Sequence, residues 1–547
     1  MVKARPMQLP EAIFWILASW LLAAAFLHHA AGPLLYDDSY QYLSVAKNIA
    51  SGEGIETSIV HFDVERRHGV LPAPVTTFPP GYPILLAAGH ALQLRYDVAA
   101  VIIGFISLAG LVWCYIRIAT DLGISLWCLR LILLLLTLNS LVLWASISVL
   151  SEAAFVGLST AALTFLIRAE AEADGSKSQV WSLIIGLILA GLAFYFRYAG
   201  IFLIAAICIF NAIRVFLYPG RRSIIRVLLC AIPVFLAASL FLRNYLYAGI
   251  LSGGNDKISD NSLPSVIRAT VFSIQHVFYG RPAAATNLIA NIGALIGLLA
   301  LALLLIVTFV ERSRFGQISL TRSVRLRAVG LLVLYIAVYL VGIVDIAHHA
   351  NISNGPRLYY PLLSPILITL ALLLDPLARS AATMNAWRKG FATLGLIGLL
   401  ASYFVANVSA ALVPVAASAH RLVESRLAEP GKGGQPLSAW IQAHVPADAV
   451  IAATDGQATG YALQRSTISL VSSQYSSARW DEATLRDEMR KFGAEFLILY
   501  PHDEDGDTTV QQESPFIAEL VSGKAPPWLT LVAENPSVEI YRIKPAT

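Results

Sequence analysis

Charge is what this sequence has little of. Asp, Glu, Lys and Arg make up 14% of its 547 residues, hydrophobic residues make up 57%, and the mean hydropathy is +0.66. So few charges cannot cover the surface of a water-soluble domain, which excludes soluble folds and implies a polytopic membrane protein. Cysteine is scarce as well. Cys114, Cys128, Cys208 and Cys230 all fall inside apolar segments, which excludes a disulfide-stapled outer loop and leaves them as small core residues. The net charge is a modest +4 and no basic, aromatic-interleaved surface is present, so nucleic acid is excluded as a partner. No internal repeat of the kind many transporters carry is visible either.

What is present is a series of apolar runs. They predict eleven membrane spans, near 11–32, 98–118, 126–145, 151–168, 181–196, 199–216, 227–242, 286–310, 328–347, 358–376 and 390–414. The first follows Lys3 and Arg5 and lacks a small-x-small cleavage site, so it is expected to remain as an uncleaved span. With the amino terminus placed in the cytoplasm, Arg117, Arg168, Arg214, Arg226, Arg325, Arg327 and Arg379 all fall in inside loops. Of the short outside turns, those near 146–150 and 347–357 hold only Arg357. This orientation predicts a multi-pass protein of the plasma (inner) membrane. Three larger pieces then lie outside: a first loop of 32–97, a middle loop near 243–285, and everything after 414.

Within the first loop, Tyr42, Val45, Ala46 and Ile49 have the spacing of a helix lying on the membrane surface. The segment FPPGYPILLAAGHAL, 78–92, enters with proline and is too short to span, which predicts a second interfacial or re-entrant helix. After residue 414 strand-like runs at 450–454, 466–471, 495–500, 529–534 and 538–543 alternate with helix-like runs at 481–493 and 515–523. The expected organisation is therefore a membrane domain, 1–414, followed by a small extracytoplasmic α/β domain, 415–547. The run HDEDGD at 502–507 is expected to be a solvated loop, since the spacing and closing carboxylate of a calcium loop are missing.

The same outer level gathers the polar residues. Asp37 and Asp38 follow the first span, Glu152 opens the fourth, Arg197 and Tyr198 sit in FRYAG, and Arg243 and Asn244 begin LRNYLYAG. Asp345, His348, His349 and Arg357 surround the ninth and tenth spans. Carboxylates beside hydrocarbon need partners, so these groups are expected to line one polar pocket. A carboxylate there can take a proton from an acceptor hydroxyl while guanidinium groups neutralise a phosphate leaving group. Each assignment has a structural rival: Asp38 or Ser39 can cap the surface helix, Glu152 can sit at a helix dipole, and the arginines can be interfacial anchors. The adjacent aspartates could also hold magnesium or manganese. His61, Asp63 and His68, like His348 and His349, lack a diagnostic metal spacing and are expected to be solvated or hydrogen-bonded.

DDSYQYLSVAKNIASGEG resembles the first-loop signature of the GT-C glycosyltransferase superfamily, in which an acidic pair follows the first span and leads into a surface helix. FPPGYPILLA, the Ser151-Glu152 step, FRYAG, LRNYLYAG and GPRLYYPLLSP are similar in order to the same group. The nearest branches are dolichyl-phosphate-mannose protein mannosyltransferases, lipid A aminoarabinose transferases and arabinofuranosyltransferases. The resemblance covers about 11–414. It implies transfer of a hexosyl or pentosyl group from a polyprenyl-phosphate donor to a glycan, lipid or protein acceptor, with inversion, on the extracytoplasmic face and with no required metal. The family's catalytic aspartate maps onto the acidic pair: arabinosyl-like spacing selects Asp37 and mannosyl-like spacing selects Asp38, with Asp37 preferred. Glu152, Arg197, Tyr198, Arg243, Asn244, Arg357, Tyr42 and Tyr82 are the expected substrate contacts. The competing readings are a transporter or flippase of lipid-linked sugars and an inactive membrane scaffold.

Overall fold

The computed structural model describes residue 20 and residues 34–61, 69–173, 175–253, 259–280, 320–350, 352, 355–380, 386–412, 419–470, 480–501 and 514–544. Two helices and three short strands form the first loop: α1 (Asp37–Ser51), β1 (Glu56–Thr57), β2 (Ile59–Val60), β3 (Ala73–Pro74) and α2 (Gly81–Ala91). The membrane bundle follows as α3 (Tyr96–Leu122), α4 (Leu126–Thr137), α5 (Ser140–Ile147), α6 (Glu152–Ala171), α7 (Lys177–Phe194), α8 (Gly200–Leu217), α9 (Arg221–Leu229) and α10 (Ala231–Ala248). After α11 (Leu263–Tyr279) come α12 (Leu320–His349), the one-turn α13 (Pro356–Tyr359), α14 (Leu363–Ser380) and α15 (Ala386–Leu412).

Among the described residues seven helices are long and apolar enough to cross a membrane, or eight if the pair α4 and α5, bent by 56°, is one span. The seven coincide with expected spans, and the bent pair occupies the span expected as one helix at 126–145. The bend falls where Asn139 leaves the helical ladder and caps the next helix, its side chain accepting from the Val142 amide at 3.0 Å. The spans expected near 11–32 and 286–310 lie outside the described residues apart from Trp20, and α15 takes the place of the last span. Outward faces stay apolar, with Phe216, Phe235, Leu246 and Val341 all exposed, as hydrocarbon rather than water would require. Inside, hydroxyl pairs join the helices: Thr160 donates to Ser364 at 2.8 Å, and Thr270 meets Tyr359 at 2.8 Å. Helices α3 and α5 approach so closely at Gly104 that a Cβ there would lie 1.9 Å from the Ser146 carbonyl oxygen.

The tail comprises α16 (Ala419–Ala428), α17 (Leu437–His444), β4 (Val450–Ala453), α18 (Gly456–Leu463), β5 (Thr467–Ser469), α19 (Glu482–Lys491), β6 (Ala494–Leu499), α20 (Pro515–Val521), β7 (Leu529–Asn535) and β8 (Val538–Ile543). Each expected strand and both expected helices are present. The run at 502–507 lies outside the described residues. One six-stranded sheet runs in the order β2-β5-β4-β6-β8-β7, parallel through β4, β5 and β6 and antiparallel at β8 and β7. Its first strand comes from the first loop: Ile59 pairs with Thr467 and Val60 with Ile468.

Helix α1 differs from its expected setting. Ser39, Tyr40, Gln41, Tyr42, Leu43, Ser44, Val45, Ala46 and Asn48 are all buried, so protein covers faces that the surface-helix reading left to lipid and water. Its polar residues are engaged: Gln41 donates to the Ile59 carbonyl at 2.8 Å, and Asn48 to the Glu56 carbonyl at 2.9 Å. Helix α2 keeps Ile84 and Leu85 exposed, as an interfacial helix would.

Candidate active site

The acidic pair stands in the first turn of α1. The cap of that helix is supplied by its neighbours, because the Tyr36 amide donates to Ser39 Oγ at 2.9 Å. Neither aspartate is therefore used for capping, and both carboxylates are left for other work. The segment that precedes them is pinned to the segment that precedes Glu152: Leu34 and Ser148 form a parallel bridge, and the Val149 amide donates to the Leu34 carbonyl at 3.2 Å. Two stretches distant in sequence thus deliver three carboxylates to one place.

An ion chain runs from there. Arg357 donates through Nη2 to Asp38 Oδ2 and through Nε to Glu152 Oε1. Glu152 Oε1 also receives Arg197 Nη1 at 2.8 Å. Arg197 lies 3.3 Å from Ser151 Oγ, which in turn meets the Tyr42 hydroxyl at 3.0 Å. The Glu152 side chain is 1% exposed, so its charge is held almost out of water, and two guanidinium groups compensate it. Its Oε2 atom has no hydrogen-bond partner among the described residues. Beneath the chain, the Tyr42 ring packs edge-on against Tyr82 and Phe78, each at 5.2 Å between centroids. Burial pushes the Tyr42 phenol up to about 12 and the Tyr82 phenol well above its usual range, so both stay neutral.

Arg357 is held by its turn. Pro356 opens α13, the Tyr339 hydroxyl donates to the Leu358 carbonyl at 2.6 Å, and Tyr359 is tied to Thr270. Asp37 differs from its neighbour. Among the described residues no hydrogen bond or ion pair is found on its carboxylate, and solvent reaches it. Solvent comes from one side, however: enough protein surrounds the group that burial raises its carboxyl above the usual carboxylate range, with the Arg357 charge pulling the other way.

The other expected contacts lie elsewhere in the same region. Arg243 donates to the Val75 carbonyl and, at 2.8 Å, to the Ile55 carbonyl; Asn244 donates to the Tyr198 hydroxyl and the Leu251 carbonyl, each at 2.8 Å. Tyr198 donates to the Thr76 carbonyl at 2.6 Å. Arg243 and Tyr198 thus staple the segments flanking the β1–β3 pair to the bundle, and Asn244 braces Tyr198. Arg243→Ala removes charge-assisted bonds to two carbonyls and is expected to destabilise the folded protein by about 2 kcal/mol. Thermal unfolding in detergent measures that, and an unchanged midpoint counts against the staple. His348 Nδ1 lies 2.9 Å from the Asn261 carbonyl, and His349 pairs with Asp345 at 3.3 Å, so neither joins the ion chain. Asp63 and His68 lie outside the described residues, and among those described no three His, Cys, Asp or Glu side chains converge as metal ligands. Of the two capping residues expected from the sequence, Asp38 and Ser39, the structure uses Ser39.

No protein-family model matches the sequence, and no curated protein matches it. Solved structures do. The chain is similar to ArnT from Cupriavidus metallidurans bound to undecaprenyl phosphate, with a TM-score of 0.54 and 11% identity, over 97% of this chain and 98% of that one. It is similar to the arabinofuranosyltransferase AftD from Mycobacteria, with a TM-score of 0.53 and 17% identity, over 97% of this chain but 41% of the longer AftD chain. A third likeness is the archaeal oligosaccharyltransferase AglB from Archaeoglobus fulgidus, in complex with an inhibitory peptide and a dolichol-phosphate. That match has a TM-score of 0.52 and 11% identity, over 93% of this chain and 72% of that one. Identity is low in each case, and what the chains share is the fold. The chain has the GT-C fold that these glycosyltransferases share.

Proposed function

We propose that this protein is an integral-membrane glycosyltransferase that moves a hexosyl or pentosyl group from a polyprenyl-phosphate donor to an acceptor hydroxyl or amine at the extracytoplasmic face. The observation that carries the reading is the contrast between the two aspartates. Asp38 is engaged by Arg357, whereas Asp37 is open to solvent, lacks an ion-pair partner among the described residues and has its carboxyl raised by burial. Asp37 is the better base, because a guanidinium on a carboxylate occupies its lone pairs and lowers its basicity.

In this reaction the acceptor oxygen attacks the anomeric carbon from the side opposite the phosphate, and the configuration inverts. The bond between that carbon and the phosphate oxygen breaks with its electron pair going to phosphate, and the acceptor proton passes to Asp37. Arg357, seated between Asp38 and Glu152, supplies the positive charge that the departing phosphate needs, and Arg197 holds Glu152 in place. In this reading arginine provides the phosphate's countercharge. The lipid tail stays in the bilayer beside the bundle. The ligands named for the ArnT and AglB structures, undecaprenyl phosphate and dolichol-phosphate, support a lipid phosphate as the leaving group.

The test is release of polyprenyl phosphate from polyprenyl-phosphate sugars by the purified protein in liposomes, with translocation of the donor followed in parallel. Turnover is expected with one donor. Translocation without release assigns the protein to lipid-linked sugar transport instead, and neither activity with any donor leaves the scaffold reading.

A further inference from the structure

Outside the ion chain, a concavity lies where the first loop meets the tail. It is a cavity of about 590 Å³ bounded by α1, by the end of α2 with the start of α3, and by the end of α18. That volume suits a small organic ligand or a few sugar units.

Two features of its wall are unusual. Among the described residues Gln93 and Gln464 are the non-glycine positions with positive φ, at 64° and 54°, and both line this cavity. They arise from the same motif used twice. Helix α2 closes with Gln93 N to His90 O at 2.8 Å and Leu94 N to Gly89 O at 3.2 Å. Helix α18 closes with Gln464 N to Tyr461 O at 3.4 Å and Arg465 N to Gly460 O at 3.2 Å. Such closures favour glycine at the left-handed residue, since an L side chain is strained there. Two helices from distant parts of the chain thus forgo glycine at the same motif position, and each places a carboxamide at the same hollow. Strain retained in this way clusters where ligands are held.

The chemistry around them is that of polyol recognition. Carboxamides and guanidinium groups can each hydrogen-bond two neighbouring hydroxyls, and aromatic rings pack against the C–H faces of a sugar. The rings of Tyr96, stacked with His90 at 4.6 Å, and of Tyr461 contribute to the wall. Lys47 donates to Gln464 Oε1 at 3.1 Å and so links α1 to the tail across it, and Gln464 Nε2 donates to the Tyr461 carbonyl, which leaves a ligand the second lone pair and the second N–H of that carboxamide. Lys47, Arg95 and Arg465 outnumber Asp97 among the lining charges, and Asp97 is already taken by Arg95 at 2.9 Å. Arg465 Nε is buried without a hydrogen-bond partner among the described residues. Leu35 and Val149 line the same cavity, two residues before Asp37 and three before Glu152, so it shares its wall with the segments that carry the reacting groups.

We propose that this cavity is a seat for an acidic saccharide, the portion of the acceptor that anchors it while a hydroxyl reaches the catalytic centre. The assignment rests on the glycosyltransferase reading for its role in catalysis, but binding itself is measured without donor. The full chain in nanodiscs is titrated with short oligogalacturonates, with maltohexaose as the neutral counterpart. Wild type is compared with Tyr461→Ala and with the double variant Gln93→Gly and Gln464→Gly. Glycine is favoured at both left-handed positions, which offsets the lost Lys47 bond, and the melting temperature of the double variant is measured alongside so that only a folded variant is scored for binding. Oligogalacturonate is expected to bind at least about tenfold more tightly than maltohexaose, and each variant to weaken it by about tenfold or more. No oligogalacturonate binding, equal binding of maltohexaose, or full affinity in the double variant overturns the proposal. Absence of lipid phosphate release with intact saccharide binding overturns the transferase reading and leaves the seat in place.

Discussion

Asp37→Asn is expected to lower the rate of sugar transfer by about 10²–10⁴ while leaving the protein folded, the range that a positioned general base contributes. Asparagine keeps the shape and cannot accept the proton. The hydrogen bonds of the ion chain are kept, because Asp37 acts on Arg357 through space while Asp38 and Glu152 hold it directly. Asp38→Asn is expected to do less to the chemical step: it removes one partner from Arg357, which keeps Glu152. Steady-state kinetics on both variants decides the matter, and a dead Asp38→Asn beside an active Asp37→Asn reverses the roles. The pH profile adds an independent reading. The base works when ionised, so the rate falls as pH drops through its pKa. Burial raises that pKa in the folded protein, so the acid limb is expected above the ordinary aspartate value of about 4. The limb disappears in Asp37→Asn.

The second large effect is structural. Glu170, at the far end of α6 from Glu152, is met by three guanidinium groups: Arg214 and Arg226 on its two oxygens, and Arg327 Nε at 2.9 Å. The carboxylate is buried, and the arginines come from α8, α9 and α12. Glu170→Ala removes the shared anion and leaves three cations facing one another at low exposure. Breaking a buried ion cluster from one side in this way costs about 3–5 kcal/mol. Thermal or denaturant unfolding in detergent measures it, and a loss below about 1 kcal/mol shows that water or lipid already screens the cluster.

These two sites show how much can be read before a structure exists. Hydropathy places a residue at a membrane level, and at that level Asp38, Glu152, Arg197 and Arg357 do meet. It says little about which way a side chain turns around its helix. Arg243 and Tyr198 share the level yet donate to first-loop carbonyls, and Asn244 donates to Tyr198 and to the Leu251 carbonyl. Arg214, Arg226 and Arg327 entered the sequence reading as loop charges that set orientation, and their convergence on Glu170 depends on bundle packing across distant helices. In the tail, runs rich in β-branched and aromatic residues announced five strands. The two residues of β2 are too few to carry a period, and the short helices α16, α17 and α18 offer too few turns to show a stripe.

That two-residue strand has a consequence for biogenesis. Ile59 and Val60 leave the ribosome early, but their partners Thr467 and Ile468 follow the whole membrane bundle. Gln41 of the acid-bearing helix donates to the Ile59 carbonyl and to Gln457, so its seat is completed by late residues as well. Pairings so distant in sequence close last, after local helices have formed. A nascent chain can therefore form its local helices while the acidic pair still lacks its final support, which arrives only when residues 457–468 have been made.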